Sequence, residues 1–148
     1  TNGKSSVADF FHQIMTLNRL PVATIGTLGI KTKKFKKNNL TSPDIISLHK
    51  ELQHLKEKKI DNVMLEASSH GLNQGRLNGI TFKAGIFTNF TQDHMDYHKS
   101  MKNYLNAKLV LFRKLLKKNN YIITDKNIPE IKKIDKIVKK KKIKKNIH

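Results

Sequence analysis

Short apolar runs alternate with stretches of helical spacing from residue 21 to residue 124, and few folds accommodate that order. Residues 21–25, closed by Gly26, read as a buried strand, and so do 62–65, 83–88 and 121–124. Between them lie segments with apolar residues every three or four positions. Val7, Phe10, Phe11, Ile14 and Met15 predict a helix over 5–18. Ile45, Leu48, Leu52 and Leu55 predict a second, with Pro43 at its first position and Ser42 as its cap. Met101, Tyr104, Leu105, Leu111, Phe112 and Leu115 predict a third, over 100–116. Residues 29–39, with five lysines and no apolar pattern, read as a loop or irregular hairpin. The expected architecture is α/β, a mostly parallel sheet flanked by helices, with ligands beyond the carboxyl ends of the strands.

The first six residues, Thr1-Asn2-Gly3-Lys4-Ser5-Ser6, fit the second half of a phosphate loop, G-x-x-x-x-G-K-[ST]. In such a loop successive backbone N–H groups cradle phosphate oxygens, the lysine reaches the terminal phosphates and the hydroxyl ligates Mg²⁺. Alone, the same residues also describe a turn whose serine caps a helix. No Met stands at position 1, so the chain is read as an excerpt of a longer protein cut inside the loop.

The net charge of +19 raises the question of nucleic acid, and its distribution answers it. Residues 1–98 hold 13 basic and 8 acidic residues, a net of +5, whereas 99–148 hold 17 and 3, a net of +14. From Lys126 onward the chain is almost wholly Lys, Ile and Asn, without Arg and with few aromatics to stack bases, so nucleic acid is not the expected partner. With no Cys, disulfides and thiolate metal sites are excluded. No apolar run is long enough to cross a bilayer, and no signal-peptide pattern is present, which together suit a cytoplasmic protein.

Two loops carry dense polar chemistry. Residues 67–79 follow a predicted strand that delivers Glu66 to its end, and they read equally as a ligand site or as a turn-rich connection. Residues 90–98, after Asn89, gather Asp93, His94, Asp96 and His98, groups able to bind metal or handle protons. Lys108 lies on the apolar side of its helix, where an ammonium either snorkels out along the edge or needs a partner. His49 and His54 have no companion at ligand spacing and are read as surface residues.

These stretches, taken in order, resemble one family. Thr-Asn-Gly-Lys-Ser at 1–5, Thr41-Ser42-Pro43, Glu66-Ala-Ser-Ser-His-Gly-Leu-x-Gln-x-Arg76, Phe87-Thr-Asn-Phe-Thr-x-Asp-His-Met-Asp-Tyr-His98 and Tyr104-x-x-Ala-Lys-x-x-x-Phe112 are similar to the central, ATP-binding domain of the Mur ligases. Within it they look most like the MurE branch, the UDP-N-acetylmuramoyl-tripeptide synthetases. The resemblance covers 1–124, leaving 125–148 as a Lys-rich continuation or tail, with one short element near Ile137 and Val138.

The resemblance implies an ATP-dependent amide ligase of peptidoglycan synthesis. ATP phosphorylates a carboxylate of UDP-N-acetylmuramoyl-L-Ala-D-Glu, and the amine of meso-diaminopimelate or L-lysine displaces phosphate. Thr1, Asn2, Gly3, Lys4, Ser5 and Ser6 would hold the ATP phosphates. Ser5, Glu66, His94 and Lys108, the last as a carbamate, would hold Mg²⁺, with Lys4, His94 and Lys108 catalytic. Thr41, Ser42, Ser68, Gln74 and Arg76 would contact the muramoyl peptide, Arg76 offering a fork for a carboxylate. His70 is read as structural or as backing a ligating residue, and Asn89 as contacting nucleotide or fixing its loop. Another Mur ligase, a folylpolyglutamate synthetase, a basic nucleic-acid-binding module and an inactive gene fragment are the alternative readings. The family's N-terminal and C-terminal domains are absent from the chain, so it is expected not to turn over alone.

Overall fold

The structure, a computed structural model, describes residues 3–26, 29–32, 36–37 and 44–147. The described residues form two compact units, Gly3–Gly71 and one that begins at Leu72.

In the first unit α1 (Lys4–Leu17) leads into β1 (Val22–Gly26), β2 (Gly29–Thr32), β3 (Lys36–Lys37), α2 (Ile45–Glu57) and β4 (Asn62–Leu65). The sheet order is β3-β2-β1-β4. β1 runs parallel to β4, Val22 facing Asn62 and Ile25 facing Leu65, and antiparallel to β2. The hairpin expected after Gly26 thus makes this sheet mixed. With partners on both edges, β1 carries the core: Val22, Ala23 and Ile25 are buried. Asn62 Nδ2 donates to Pro21 O at 2.9 Å, tying the starts of the two parallel strands together.

The apolar stripe expected on α1 is turned relative to the sheet. Ala8 and His12 face inward, while Phe10, Ile14 and Leu17 are 62%, 58% and 82% exposed. A small residue at position 8 lets the helix approach the sheet closely, and the bulkier residues flank that contact. His12 Nε2 and Thr16 Oγ1, one turn apart, are buried without a hydrogen-bond partner among the described residues. Burial in apolar surroundings holds the His12 imidazole below its usual pKa, the Lys31 ammonium pushing the same way.

The cap of α2 is a correction. Ser42 and Pro43 lie outside the described residues, and Asp44 caps the helix instead: its Oδ1 accepts from Ile46 N at 2.9 Å and Ser47 N at 3.0 Å. The backbone donor of Ser47 holds the Asp44 carboxyl below its ordinary value. Of the predicted stripe Leu48 and Leu55 are buried, but Ile45 is exposed. His49 and His54 are exposed, as expected.

α3 (Ser69–Asn73) follows β4 and breaks what read as a continuous loop. The second unit then holds β5 (Phe82–Phe87), α4 (Met95–His98), α5 (Met101–Val110), a π-helical turn (Leu111–Leu115), β6 (Leu116–Thr124), α6 (Ile131–Lys141) and β7 (Lys144–Ile147). Its sheet, β5-β6-β7, is wholly parallel. The Ser100 hydroxyl caps α5 by accepting from Asn103 N at 3.2 Å. The expected helix over 100–116 ends in the π turn, and β6 starts with no connecting loop, five residues before the predicted strand. Phe112, Leu116 and Ile122 are fully buried, so apolar packing fixes this abrupt change of direction.

The Lys-rich continuation is ordered structure. α6 buries Ile134 and Ile137 and turns Lys132, Lys133, Lys136, Lys139 and Lys140 outward, and β7 pairs with β6. Lys141 Nζ donates to Arg113 O and Leu116 O, each at 2.7 Å, satisfying carbonyls at the end of the π turn.

Candidate active site

The first set of site residues lies at the carboxyl ends of β1 and β4. Gly3 caps α1 with φ of +84°, a conformation that glycine adopts without strain, and Gly3 O accepts from Val7 N. The helix N-terminus that follows carries the half-buried Lys4 and the exposed Ser5 and Ser6. Free N–H groups and the helix dipole there favour an anion. Thr1 and Asn2 lie outside the described residues.

Glu66 extends β4 by one step, its N–H donating to Ile25 O at 2.8 Å. That bond aims its carboxylate across the end of β1, where Ser5 Oγ donates to Glu66 Oε2 at 2.9 Å. Neighbouring oxygen ligands of an octahedral Mg²⁺, each at about 2.1 Å, lie about 3 Å apart. The separation of these two oxygens, and their hard donor character, therefore fit the ion. Gly26 makes the arrangement possible: a Cβ there would run into the Glu66 carboxylate. Sequence reading took Gly26 only as the end of a strand, because a clash with a residue forty positions away leaves no local signature.

The second set surrounds Tyr104 on α5, which is 1% exposed. The rings of Phe90, His94 and His98 lie 5.1, 6.1 and 5.1 Å from its ring. Lys108 is half-buried, its Nζ 5.1 Å from the Tyr104 ring centroid and 5.6 Å from that of Phe87. A lysine head group lodged between two rings has traded water for their negative faces. His94 and Lys108, expected in one ligand set, thus share an aromatic neighbour. His94 adopts φ of +54°, its N–H bonded to Asp93 Oδ1 at 2.9 Å and its Nε2 3.4 Å from Asp93 Oδ2. Asn89, half-buried, follows β5 in the same unit. Among the described residues no three His, Cys, Asp or Glu side chains gather around one point.

The segment between β4 and β5 is braced at several points. Ser68 Oγ accepts from Gly71 N at 3.0 Å and opens α3. His70 is half-buried. Asn73 Nδ2 and Gln74 Nε2 donate to Tyr97 Oη at 3.1 and 3.3 Å. These two bonds, Asn73 first, and the charge of Arg76 hold the Tyr97 phenol below its usual pKa. Sequence reading did not assign Tyr97 or Tyr104 a site role. Thr41 and Ser42 lie outside the described residues.

Residues 1–147 match the Mur ligase middle domain. The chain is 46% identical over 119 residues to a UDP-N-acetylmuramoyl-L-alanyl-D-glutamate--2,6-diaminopimelate ligase of Brucella melitensis biotype 1, covering 80% of this chain and 24% of that protein. It is 42% identical over 149 residues to the enzyme of the same name from Rickettsia bellii, covering 97% of this chain and 31% of that one. A solved structure titled as this ligase superposes with a TM-score of 0.85 at 27% identity, over 99% of this chain and 30% of the other. The chain thus spans 24% to 31% of the length of these relatives.

Proposed function

Because the chain belongs to the Mur ligase family, matching its middle domain, we propose that it is the ATP-binding middle part of a longer ligase joining 2,6-diaminopimelate to UDP-N-acetylmuramoyl-L-alanyl-D-glutamate, a cytoplasmic step of peptidoglycan synthesis. The observation that carries this reading is the Ser5–Glu66 hydrogen bond, which joins the phosphate-loop hydroxyl to a strand-end carboxylate. The relatives' printed names supply the substrates.

In this reading residues 1–124 carry the domain's motifs, and α6 and β7 continue it. The loop from Thr1 to Ser6 wraps the ATP phosphates, Lys4 drawing charge from the terminal ones. The terminal phosphoryl group passes to the free carboxylate of the muramoyl dipeptide, releasing ADP. The incoming amine attacks that acyl carbon, loses its proton, and phosphate departs with the bonding electrons to leave an amide. Ser5, Glu66, His94 and Lys108, the last as a carbamate, would hold Mg²⁺, which would supply charge neutralisation there. Once the Lys108 ammonium has lost a proton, its amine nitrogen would bond to the carbon of CO₂ and release a second proton to solvent, so that a cation lodged against Phe87 and Tyr104 becomes a carbamate anion. Thr41, Ser42, Ser68, Gln74 and Arg76 grip the acidic peptide, so binding energy positions the carboxylate rather than a protein nucleophile.

Mg²⁺-dependent ATP binding by this chain, wild type against Lys4→Ala at moderate salt, tests the reading. Wild type should bind and Lys4→Ala should lose roughly tenfold or more in affinity. Equal binding by both proteins would assign the affinity to surface lysines, and absence of binding by both would remove the nucleotide site.

A further inference from the structure

The half of the site facing the peptide substrate depends on a short polar turn, 73–76, that follows α3. A turn of this kind is a poor clamp unless something fixes it, because long side chains on a surface segment lose rotamer freedom when they bind. Gln74 is exposed and Arg76 half-buried, and no strand holds them. Within the turn Gly75 N donates to Leu72 O at 3.3 Å and Asn78 N to Gly75 O at 2.9 Å, and a phenol meets its side chains. Tyr97 Oη accepts from the amides of both Asn73 and Gln74, so two successive residues of the turn are anchored on one oxygen. Arg76 lies near enough for its charge to act on the same phenol.

Tyr97 is itself held from behind. It sits in α4, and its ring meets that of the buried His98 edge-on at 4.7 Å. His98 packs in turn on Tyr104, the residue that also borders His94 and Lys108. A chain of ring contacts therefore links the peptide-facing turn to the aromatic nest. Tyr97 and Asn73 also form one wall of an open polar hollow of about 600 Å³, whose lining includes Lys99, Asn103 and Arg113, so a polar ligand can reach this edge.

We propose that Tyr97 is a positioning residue for the acceptor substrate: its hydroxyl oxygen fixes the 73–76 turn so that Gln74 and Arg76 meet the acidic peptide already arranged. The proposal rests on the ligase reading above. Phenylalanine would keep the ring, the packing on His98 and the volume, while removing the acceptor, so the effect belongs to binding and not to folding.

The test is steady-state ligation by the full-length ligase that carries this chain, varying the muramoyl-dipeptide nucleotide and ATP separately. Tyr97→Phe should raise KM for the dipeptide nucleotide about five- to tenfold, the scale of one or two ordinary hydrogen bonds. KM for ATP and the melting temperature should stay near wild type. Gln74→Ala should raise the same KM, and the double variant should raise it by less than the product of the two single effects, because one of the two bonds at Tyr97 Oη is shared by both variants. Asn73→Ala should give a smaller shift in the same direction. Unchanged KM for the dipeptide nucleotide in Tyr97→Phe, additive effects with Gln74→Ala, or an equal shift in KM for ATP would each overturn the proposal. Should Gln74→Ala and Arg76→Ala both leave KM unchanged, the ligase reading of this turn fails and the proposal with it. A rise in those two variants without one in Tyr97→Phe rejects the proposal alone.

Discussion

The two units solve the problem of holding polar groups in different ways. At the ends of β1 and β4 the placement is made by backbone and by the absence of a side chain. Glu66 is aimed by a ladder hydrogen bond, Gly26 leaves room for it, and Ser5 meets it from the first turn of α1. In the second unit the placement is made by aromatic bulk, with Tyr104 touching Phe90, His94, His98 and Lys108, and Tyr97 gathering Asn73 and Gln74. The first arrangement leaves no room for a Cβ at position 26 while the Glu66 carboxylate stays in place. The second should tolerate loss of a polar atom better than loss of a ring, because packing carries it.

The harshest break should come from Lys108→Ala in the full-length ligase. If the lysine works as a carbamate, ligation should fall by about a hundred- to a thousandfold, the scale of removing one stabilising charge, with ATP binding retained. Ligation at the wild-type rate would reject that role.

Next is Phe112→Ala, which empties the fully buried ring packed 6.1 Å from that of Phe87. Denaturant unfolding should show a loss of about 3–5 kcal/mol, and a loss below about 1 kcal/mol would mean that the second unit does not depend on aromatic packing.

Gly26→Ala sharpens the contrast from the other side. One methyl group should displace the Glu66 carboxylate and raise the Mg²⁺ concentration needed for half-maximal ATP binding by roughly tenfold, a shift of about 1.4 kcal/mol. Unaltered Mg²⁺ dependence would show that Glu66 has another place to go.

The smallest effect concerns His12. Its pKa is lowered in the folded chain from the ordinary 6.5, so below that pH the unfolded state takes up a proton the folded state refuses. Stability should therefore fall as pH drops below 6.5, and the decline should end once pH passes the folded value. His12→Leu should flatten that part of the urea-midpoint profile while leaving stability at pH 7.5 near wild type, since the orphaned Nε2 disappears with the ring. An unchanged profile would reject His12 as the titrating group.

Local signals made much of this legible. The glycine at position 3 and the hydroxyl at 5 announce a phosphate loop because that geometry needs them within a few residues of each other. Strand positions at 22–26, 62–65 and 82–87 follow from short apolar runs. Two differences share one cause. The α1 stripe follows bulk, but Ala8 sets the inward face, and β6 begins five residues early because the π turn brings Leu116 into the core. Both depend on which side of an element meets its neighbour, whereas the α2 cap on Asp44 is a local bond to Ile46 N and Ser47 N. The stretch after residue 125 reads as a Lys-rich continuation or tail, whereas Lys141 closes two carbonyls contributed by residues about 25 positions earlier.

The order of the elements, the start of the first helix and the identity of the chemical groups available can be read from the chain alone, since spacing and side-chain type are local properties. Tertiary structure decided what those groups touch. Ser5 and Glu66 are 61 residues apart and meet only because β1 and β4 pair in parallel register, and Gln74 reaches Tyr97 across 23 residues. Such contacts are fixed by packing and hydrogen bonding between distant segments, and no periodicity in a linear chain records them.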